Sequence, residues 1–155
     1  MVQDKVILVT GGSTGIGRAT AQILAREGAT VVIADLQDAE GAHTVESITA
    51  AGGRAEYQHV DVSDYDAVRA LIAGIAARHG GLDCAFNNAG IEGPTAKIME
   101  LSVADWQRVI AINLTGVYIC MKCELEQMLK QQRGGAIVST ASAAGHSPCT
   151  SVIST

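Results

Sequence analysis

Short runs of β-branched and other apolar residues alternate along this chain with longer segments that carry apolar residues at helical spacing. We predict strands at 6–9, 31–34, 55–60, 84–86 and 136–138, and helices at 15–27, 39–51, 64–79 and 102–132. Strands that are apolar without alternation are buried on both faces, as in a parallel sheet covered by helices. Right-handed crossovers then give a doubly wound, Rossmann-like α/β fold with three α/β/α layers and strands 1–5 of such a sheet. No repeat or linker interrupts residues 1–155, so we predict a single domain.

Composition and charge narrow the class of protein. Hydrophobic residues make up 48% of the 155, which is enough to bury a core, and no apolar run approaches the ~20 residues that span a membrane. The net charge is −5 and no basic stripe is present, so nucleic-acid binding has little support. The first residues lack the basic start and apolar core of a signal peptide. We therefore expect a soluble, cytoplasmic protein with no nucleic-acid and no membrane partner.

The four cysteines raise the question of a metal site. Cys120 and Cys123 form a C-x2-C pair, which is one half of a common zinc-site pattern. They lie inside a predicted helix, and no second Cys/His pair follows at zinc spacing. We therefore predict no metal site, and expect reduced cysteines that pack as small hydrophobic side chains.

A glycine-rich loop joins the first predicted strand to the first predicted helix. Gly11 permits a tight turn, Gly15 lets the backbone approach a pyrophosphate, and Gly17 allows close packing of helix and strand. The helix N-terminus adds unpaired N–H groups and a partial positive charge. No Gly-Lys-Ser/Thr follows, so the loop is not of the Walker type, and the alternative is a simple glycine-rich turn. The predicted dinucleotide contacts in this loop are Gly11, Ser13, Thr14, Gly15, Ile16 and Gly17.

The second predicted strand is followed by an acidic residue, Asp35. The dinucleotide fingerprint has such a residue roughly 20 positions after the loop, where it accepts from the ribose hydroxyls. A carboxylate there repels a 2′-phosphate, and neither Thr14 nor Leu36 is a basic residue that would hold one. The pattern therefore favours NAD over NADP, with Asp35 and Leu36 at the ribose. The alternative for Asp35 alone is a solvated carboxylate at the end of a strand.

Together with the loop, four later motifs resemble the classical short-chain dehydrogenases/reductases. The family's loop is Thr-Gly-x3-Gly-x-Gly, which residues 10–17 match. Its Asp after the third strand is matched by Asp61, and its Asn-Asn-Ala-Gly after the fourth strand by residues 87–90. Its mid-helix Asn is matched by Asn113, and its Ser after the fifth strand by Ser142. The five motifs occur in the family's order and cover nearly all of this chain, but only the first part of the family's fold.

The resemblance implies further cofactor contacts at the ends of two strands. It places Asp61 and Val62 at the adenine ring, whose amine a carboxylate oxygen can accept from. It places Asn88, Ala89 and Gly90 beside the cofactor, at the carboxyl end of a central strand, where doubly wound sheets bind ligands. The alternative for Asn88 is that its side chain only caps a turn.

The resemblance also implies the reaction. It predicts an NAD-dependent oxidoreductase that transfers a hydride between a secondary alcohol or ketone and nicotinamide. The Ser142 hydroxyl would then hydrogen-bond the substrate oxygen, although Ser142 is also one of several small residues in its loop. Asn113 is expected to disturb the hydrogen-bond ladder of its helix and to order a water for a proton relay. Members of the family are usually homo-oligomers.

The family's catalytic Tyr, with a Lys four residues later, has no match at the expected place. By resemblance the Tyr falls near Thr155, yet none of the three tyrosines lies after Ser142. Tyr118 and Lys122 match the spacing, but they precede the Ser, so we predict ordinary helix packing for them. Because the resemblance fades after Gly145, we expect a chain truncated at its C-terminus.

The missing pair leaves two alternatives to an active dehydrogenase. The first is a module that binds NAD without turnover, since loss of a general base typically reduces a rate by about 10²–10⁴-fold. The second is an inactive fragment that folds poorly, because the fifth strand would form an apolar edge of the sheet. The sequence does not identify a substrate.

Overall fold

The computed structural model describes residues 2–142, which form one parallel five-stranded sheet with helices on both faces. The strands are β1 (Val6–Thr10), β2 (Thr30–Asp35), β3 (Arg54–His59), β4 (Cys84–Asn87) and β5 (Ala136–Ser139). They run in the order β3-β2-β1-β4-β5, and every neighbouring pair is parallel. The predicted doubly wound α/β fold is therefore confirmed.

Alternate residues of the central strand β1 serve two separate cores. Ile7 and Val9 pack with the helices α1 (Gly15–Arg26) and α2 (Asp38–Ala50) on one face. Val6 and Leu8 pack with α3 (Tyr65–His79) and α5 (Val117–Lys130) on the other. Both faces of the strand are buried, which explains why its sequence is apolar without alternation. The remaining helix is α4 (Val103–Ile110), which precedes α5 in the chain.

The long predicted helix at 102–132 is present, with an interruption. Ser102 caps its start by accepting a hydrogen bond from the Asp105 N–H at 3.0 Å. Between α4 and α5 the chain is π-helical over Ala111–Gly116, and Asn113 lies within that segment. The expected disturbance of the backbone ladder thus takes the form of a π-helical segment, a feature that is frequent at functional sites.

The two edges of the sheet differ in character. The outer strand β3 is polar and carries Arg54 and Glu56, as edge strands that resist pairing with other chains do. The opposite edge strand, β5, exposes 60% of Val138. Among residues 2–142, no helix has both the length and the apolar character needed to cross a membrane.

Candidate cofactor site

A cleft of about 510 Å³ lies at the carboxyl ends of the strands. Its volume is within the range of roughly 300–1,000 Å³ that small-molecule sites occupy. The strand order reverses between β1 and β4, and a ligand in a doubly wound sheet binds at such a reversal. The residues that follow β1, β2, β3 and β4 all contribute to the lining: Gly11, Thr14, Gly15, Ile16, Ala34, Asp35, Leu36, Gln37, Val60, Asp61, Val62, Asn88, Ala89, Gly90, Ile91 and Ile112.

The glycine loop combines one open position with two crowded ones. Gly15 has a φ of +51°, and a Cβ built on it would meet nothing within 4 Å, so its backbone faces free space in the cleft. A Cβ on Gly17 would meet the carbonyl oxygen of Gly11 and, at 2.8 Å, the amide nitrogen of Asn88. Gly11 itself has a φ of +63° and lies against Ala89. A side chain is thus excluded at positions 11 and 17 by the fold, whereas position 15 is open to a ligand.

The N-terminus of α1 opens into the same cleft. Thr14 precedes the helix in extended conformation, and no side chain caps the helix start. The first turn contains no acidic residue, so its N–H groups and partial positive charge are uncompensated. Such an N-terminus, with Gly15 and Ile16 in the lining, suits a bound phosphate.

Asp35 joins the end of β2 to the glycine loop. Its Oδ2 accepts a hydrogen bond from the Ser13 N–H at 3.0 Å. Its Oδ1 accepts from the backbone N–H groups of Leu36 at 2.8 Å and Gln37 at 3.3 Å. The carboxylate is therefore fixed in the wall of the cleft by three backbone donors, and its negative charge lies within the lining.

Ser13 and Arg18 stabilise the glycine loop on the side that faces away from the cleft. Ser13 is fully buried and does not line the cleft, so a direct cofactor contact by its side chain does not follow from this geometry. Its carbonyl oxygen accepts from Arg18 Nε at 2.8 Å and from Thr44 Oγ1 at 3.2 Å. The Arg18 guanidinium also pairs with Glu40 at 2.5 Å. The cation nearest the loop is thus already neutralised by a carboxylate of α2.

Asn88 connects β4 to the glycine loop and to the end of β5. Its Nδ2 donates to the carbonyl oxygens of Thr10 at 3.4 Å and Gly11 at 3.2 Å. Its Oδ1 accepts from Thr140 Oγ1 at 3.1 Å. The Thr10 hydroxyl in turn accepts from the backbone N–H groups of Asn88 and Ala89. The side chain therefore does more than cap a turn, because it holds together three elements that meet at the cleft.

Asp61 and Val62 form the cleft wall after β3, as predicted for that position. Asp61 Oδ1 accepts from both the backbone N–H and the hydroxyl of Ser63, at 2.9 Å and 2.7 Å. These two bonds fix the orientation of the carboxyl group.

The predicted catalytic residues lie outside the lining. Asn113 acts on the rim of the cleft through Ile91: its Oδ1 accepts from the Ile91 N–H at 2.9 Å, and its Nδ2 donates to the Ile91 carbonyl at 2.7 Å. The side chain thus pairs with Ile91 as a neighbouring strand would. Ser142 is exposed and is the last described residue after β5.

Tyr118 and Lys122 do not reach the cleft. Tyr118 is 65% exposed on α5, and neither residue belongs to the lining. The Lys122 ammonium lies 5.0 Å from the ring centroid of Tyr65 on α3, a cation–π contact on the surface. Both residues therefore lie on the surface of the helix, away from the cleft.

Cys120 and Cys123 are buried on α5 and belong to the apolar core. Burial is the largest cause that raises the pKa of both thiols, which disfavours thiolate formation. Within residues 2–142, no cluster of three or more metal-binding side chains is present. Cys149 lies outside the described residues.

The family comparison agrees with this geometry. The model of the family described as short chain dehydrogenase matches residues 5–154. The chain belongs to the short-chain dehydrogenase family. The match runs past Gly145, so the expectation that the family resemblance fades after that residue is wrong in its extent.

Two of the curated relatives that this chain matches are named for hydroxyl-bearing compounds. The "3beta-hydroxysteroid dehydrogenase" of Mediterraneibacter gnavus is 46% identical over 142 residues, which cover 92% of this chain and 51% of that protein. The "cis-4-hydroxycyclohexanecarboxylate dehydrogenase" of Sinomonas cyclohexanicum is 48% identical over 143 residues, which cover 92% of this chain and 56% of that protein. The chain thus spans about half the length of the curated relatives it matches.

Solved structures give the same result. A short-chain type dehydrogenase/reductase from Mycobacterium marinum superposes with a TM-score of 0.90 at 33% identity, over 94% of this chain and 58% of that one. A xylitol dehydrogenase described as NAD⁺-bound superposes with a TM-score of 0.90 at 35% identity, over 95% of this chain and 56% of that one.

Proposed function

We propose that this chain binds NAD in the cleft and forms the nucleotide-binding part of an NAD-dependent oxidoreductase. The observation that carries the proposal is the convergence of four strand ends on one cleft, with an open glycine at a free helix N-terminus and a carboxylate at the end of β2. Each of these features suits one part of the cofactor. The α1 N-terminus suits the pyrophosphate, Asp35 the ribose hydroxyls, and Asp61 with Val62 the adenine.

The charges around the loop favour NAD over NADP. Asp35 presents a negative charge where a 2′-phosphate would lie, and like charges repel strongly in a partly desolvated cleft. The basic residue closest to the loop, Arg18, is paired with Glu40 and donates to Ser13. Binding of NADP would therefore require a new partner for the phosphate.

The proposed reaction is hydride transfer between a secondary alcohol or ketone and nicotinamide. NAD, when bound, supplies the hydride acceptor, and NADH supplies the donor. Ser142 would hydrogen-bond the substrate oxygen, and Asn113 would hold the Ile91 segment and a relay water in place. The names of the hydroxysteroid and hydroxycyclohexanecarboxylate dehydrogenases support an alcohol substrate for this chain as well.

A module that binds NAD without turnover is the second candidate. This candidate is favoured by the positions of the tyrosines, because none of the three lines the cleft. Fluorescence titration of the purified chain with NADH measures binding, and an assay with NAD and a panel of secondary alcohols measures turnover. Binding with turnover supports the oxidoreductase, binding alone supports the module, and no binding refutes both.

An inactive fragment that folds poorly is tested separately. Circular dichroism during heating follows the loss of helix in the chain without cofactor. A cooperative transition contradicts the fragment hypothesis, since only a packed domain unfolds in this way.

We also propose that the chain is cytoplasmic and that it self-associates, as members of its family usually do. An apolar stripe along the helix that contains the π-helical segment supports association, because large apolar side chains are left exposed there: Leu114, Tyr118, Leu125 and Leu129. Light scattering coupled to size-exclusion chromatography measures the oligomeric state, and cell fractionation tests the location. A monomer at micromolar concentration would contradict self-association.

A further inference from the structure

An acidic side chain, that of Glu124, is buried in the core beneath the cleft. Glu124, on α5, is fully buried, and Asn87, the last residue of β4, is 2% exposed. Asn87 Nδ2 donates to Glu124 Oε2 at 2.9 Å. A buried carboxyl with one neutral partner is unusual, because acidic side chains are rarely fully buried unless they are paired.

The hydrogen bonding of this pair is incomplete if Glu124 is a carboxylate. Among the described residues, Glu124 Oε1 and Asn87 Oδ1 are buried and have no partner. Both atoms would then be acceptors, so neither could satisfy the other. A proton on Glu124 Oε1 changes this, because Oε1 then becomes a donor and Asn87 Oδ1, the second unpartnered atom of the same pair, can accept from it.

We propose that Glu124 keeps its proton in the native chain at mildly acidic pH, up to about neutrality, and closes a two-bond ring with the Asn87 amide. In this ring Asn87 Nδ2 donates to Glu124 Oε2, and the Glu124 Oε1 hydroxyl donates to Asn87 Oδ1. The neutral ring satisfies the two unpartnered atoms at once and avoids a buried charge.

The electrostatic surroundings agree with a neutral acid. Burial raises the pKa of Glu124 to about 7, and the bond from Asn87 lowers it only in part. On its own helix, Glu124 interacts electrostatically with the thiols of Cys120 and Cys123. Arg69 on α3 lowers the pKa of Cys123 but does not affect the pKa of Glu124. The group on β4 that affects the pKa of Glu124 is the neutral amide of Asn87. Among the described residues, no cation therefore stabilises a carboxylate at this position.

The ring gives Glu124 a role as a positioning residue. Asn87 directly precedes Asn88 and Ala89, which line the cleft and bond to Thr10 and the glycine loop. It also pairs with Ser139 in the β4–β5 register. By fixing the last side chain of β4 from below, Glu124 holds the strand end that carries the cleft wall. This inference concerns the protein without cofactor and does not rest on the proposed function.

The pH dependence of the free energy of unfolding tests whether Glu124 is protonated in the native state. Because the native state binds a proton that the unfolded state releases near pH 4.5, stability falls as pH rises from about 4.5 to about 7 and then levels off. The unfolding constant from urea titrations should rise about 300-fold over this window through Glu124 alone. Glu124→Gln, which keeps both bonds of the ring as an amide, should remove that part of the slope. Glu126→Gln, an exposed neighbour on α5, should leave it unchanged.

Two further measurements identify the group and its role. Infrared spectra of the wild-type chain at pH 6 should contain the carbonyl band of a protonated carboxylic acid, since exposed carboxyls are ionised there. Amide exchange at Asn88 and Ala89 should accelerate at least tenfold in Glu124→Leu but not in Glu124→Gln. Equal pH slopes for wild type and Glu124→Gln, or no acid band in the wild type, would overturn the proposal, and the spectrum decides the matter even if a variant fails to fold.

Discussion

Replacing Asp35 with Asn should weaken the preference of the chain for NADH over NADPH. The substitution removes one negative charge from the lining of the cleft and preserves the volume of the side chain. A bound NADPH places its 2′-phosphate near the ribose hydroxyls for which Asp35 is proposed. The repulsion between the two anions is therefore the quantity that the substitution changes.

The size of this repulsion follows from the position of Asp35. Two unit charges about 5 Å apart repel by about 3 kcal/mol at an effective dielectric constant of about 20, and by about 0.8 kcal/mol in bulk water. Asp35 is half-buried, so its repulsion lies between these limits. The ratio of the NADPH and NADH dissociation constants should fall by roughly 5- to 150-fold in Asp35→Asn.

The ratio is the proper readout because the substitution also disturbs the loop. Asp35 Oδ2 accepts from the Ser13 N–H, and an Asn amide nitrogen facing that N–H cannot do so. Loss of this bond weakens NADH and NADPH binding alike, by about 1 kcal/mol. Fluorescence titrations with both nucleotides, at low salt and at 1 M salt, separate the shared loss from the loss of discrimination, since salt screens only the charge effect.

Asp4→Asn is the matched control. Asp4 precedes the central strand β1 at the amino ends of the strands, away from the cleft, and its side chain is 75% exposed. Its removal changes the net charge equally but should leave the ratio unchanged. A ratio in Asp35→Asn within twofold of the wild type would refute the argument that this carboxylate selects the cofactor.

Four other substitutions separate binding from folding. Gly15→Ala should weaken NADH binding more than tenfold with a loss of stability of only about 1–2 kcal/mol, because its φ is +51° and its Cβ enters the cleft; thermal melting and NADH titration measure the two effects. Gly17→Ala should destabilise the chain by more than Gly15→Ala in the same melts, because its Cβ meets the carbonyl of the loop. Asn113→Ala should accelerate hydrogen exchange of the Ile91 amide, whose acceptor is removed, and unchanged exchange would contradict that contact. Tyr118→Phe should leave NADH affinity and any turnover within twofold, since Tyr118 lies outside the cleft; a large loss of turnover would restore it as a candidate base.

Much of the fold could be predicted because its determinants are local. The apolar runs of β1 and β2 and the helical spacing between them fix the alternation of elements, and the alternation fixes the topology. The roles of the loop glycines could be predicted for a similar reason, since each lies where the backbone conformation or a close contact requires the absence of a side chain. The sequence predicts the π-helical segment at Ala111–Gly116 only in part, because Asn113 indicates a disturbed hydrogen-bond ladder but the form of the disturbance depends on packing.

The contacts that support the site could not be read from the sequence. Arg18 and Glu40 are 22 positions apart, and only the packing of α1 beside α2 brings them together. Ser13 belongs to the loop motif, yet its backbone is held from behind and its side chain is buried. Burial of an individual side chain depends on which elements become neighbours, and that information is tertiary.

Asp35 and Asn88 have both a structural role in the glycine loop and a place in the lining of the cleft. Each side chain faces the cleft, and each also fixes the glycine loop through hydrogen bonds to its backbone, at Ser13 and at Gly11. Because these bonds join the loop to β2 and β4 through groups of the protein itself, they hold its backbone in one arrangement, and such preorganisation lowers the cost of binding. A loss of affinity on substitution of either residue therefore reports loop order as well as direct contact. Only a differential measurement, such as the ratio of two cofactors that share the loop and differ at one phosphate, isolates the contact.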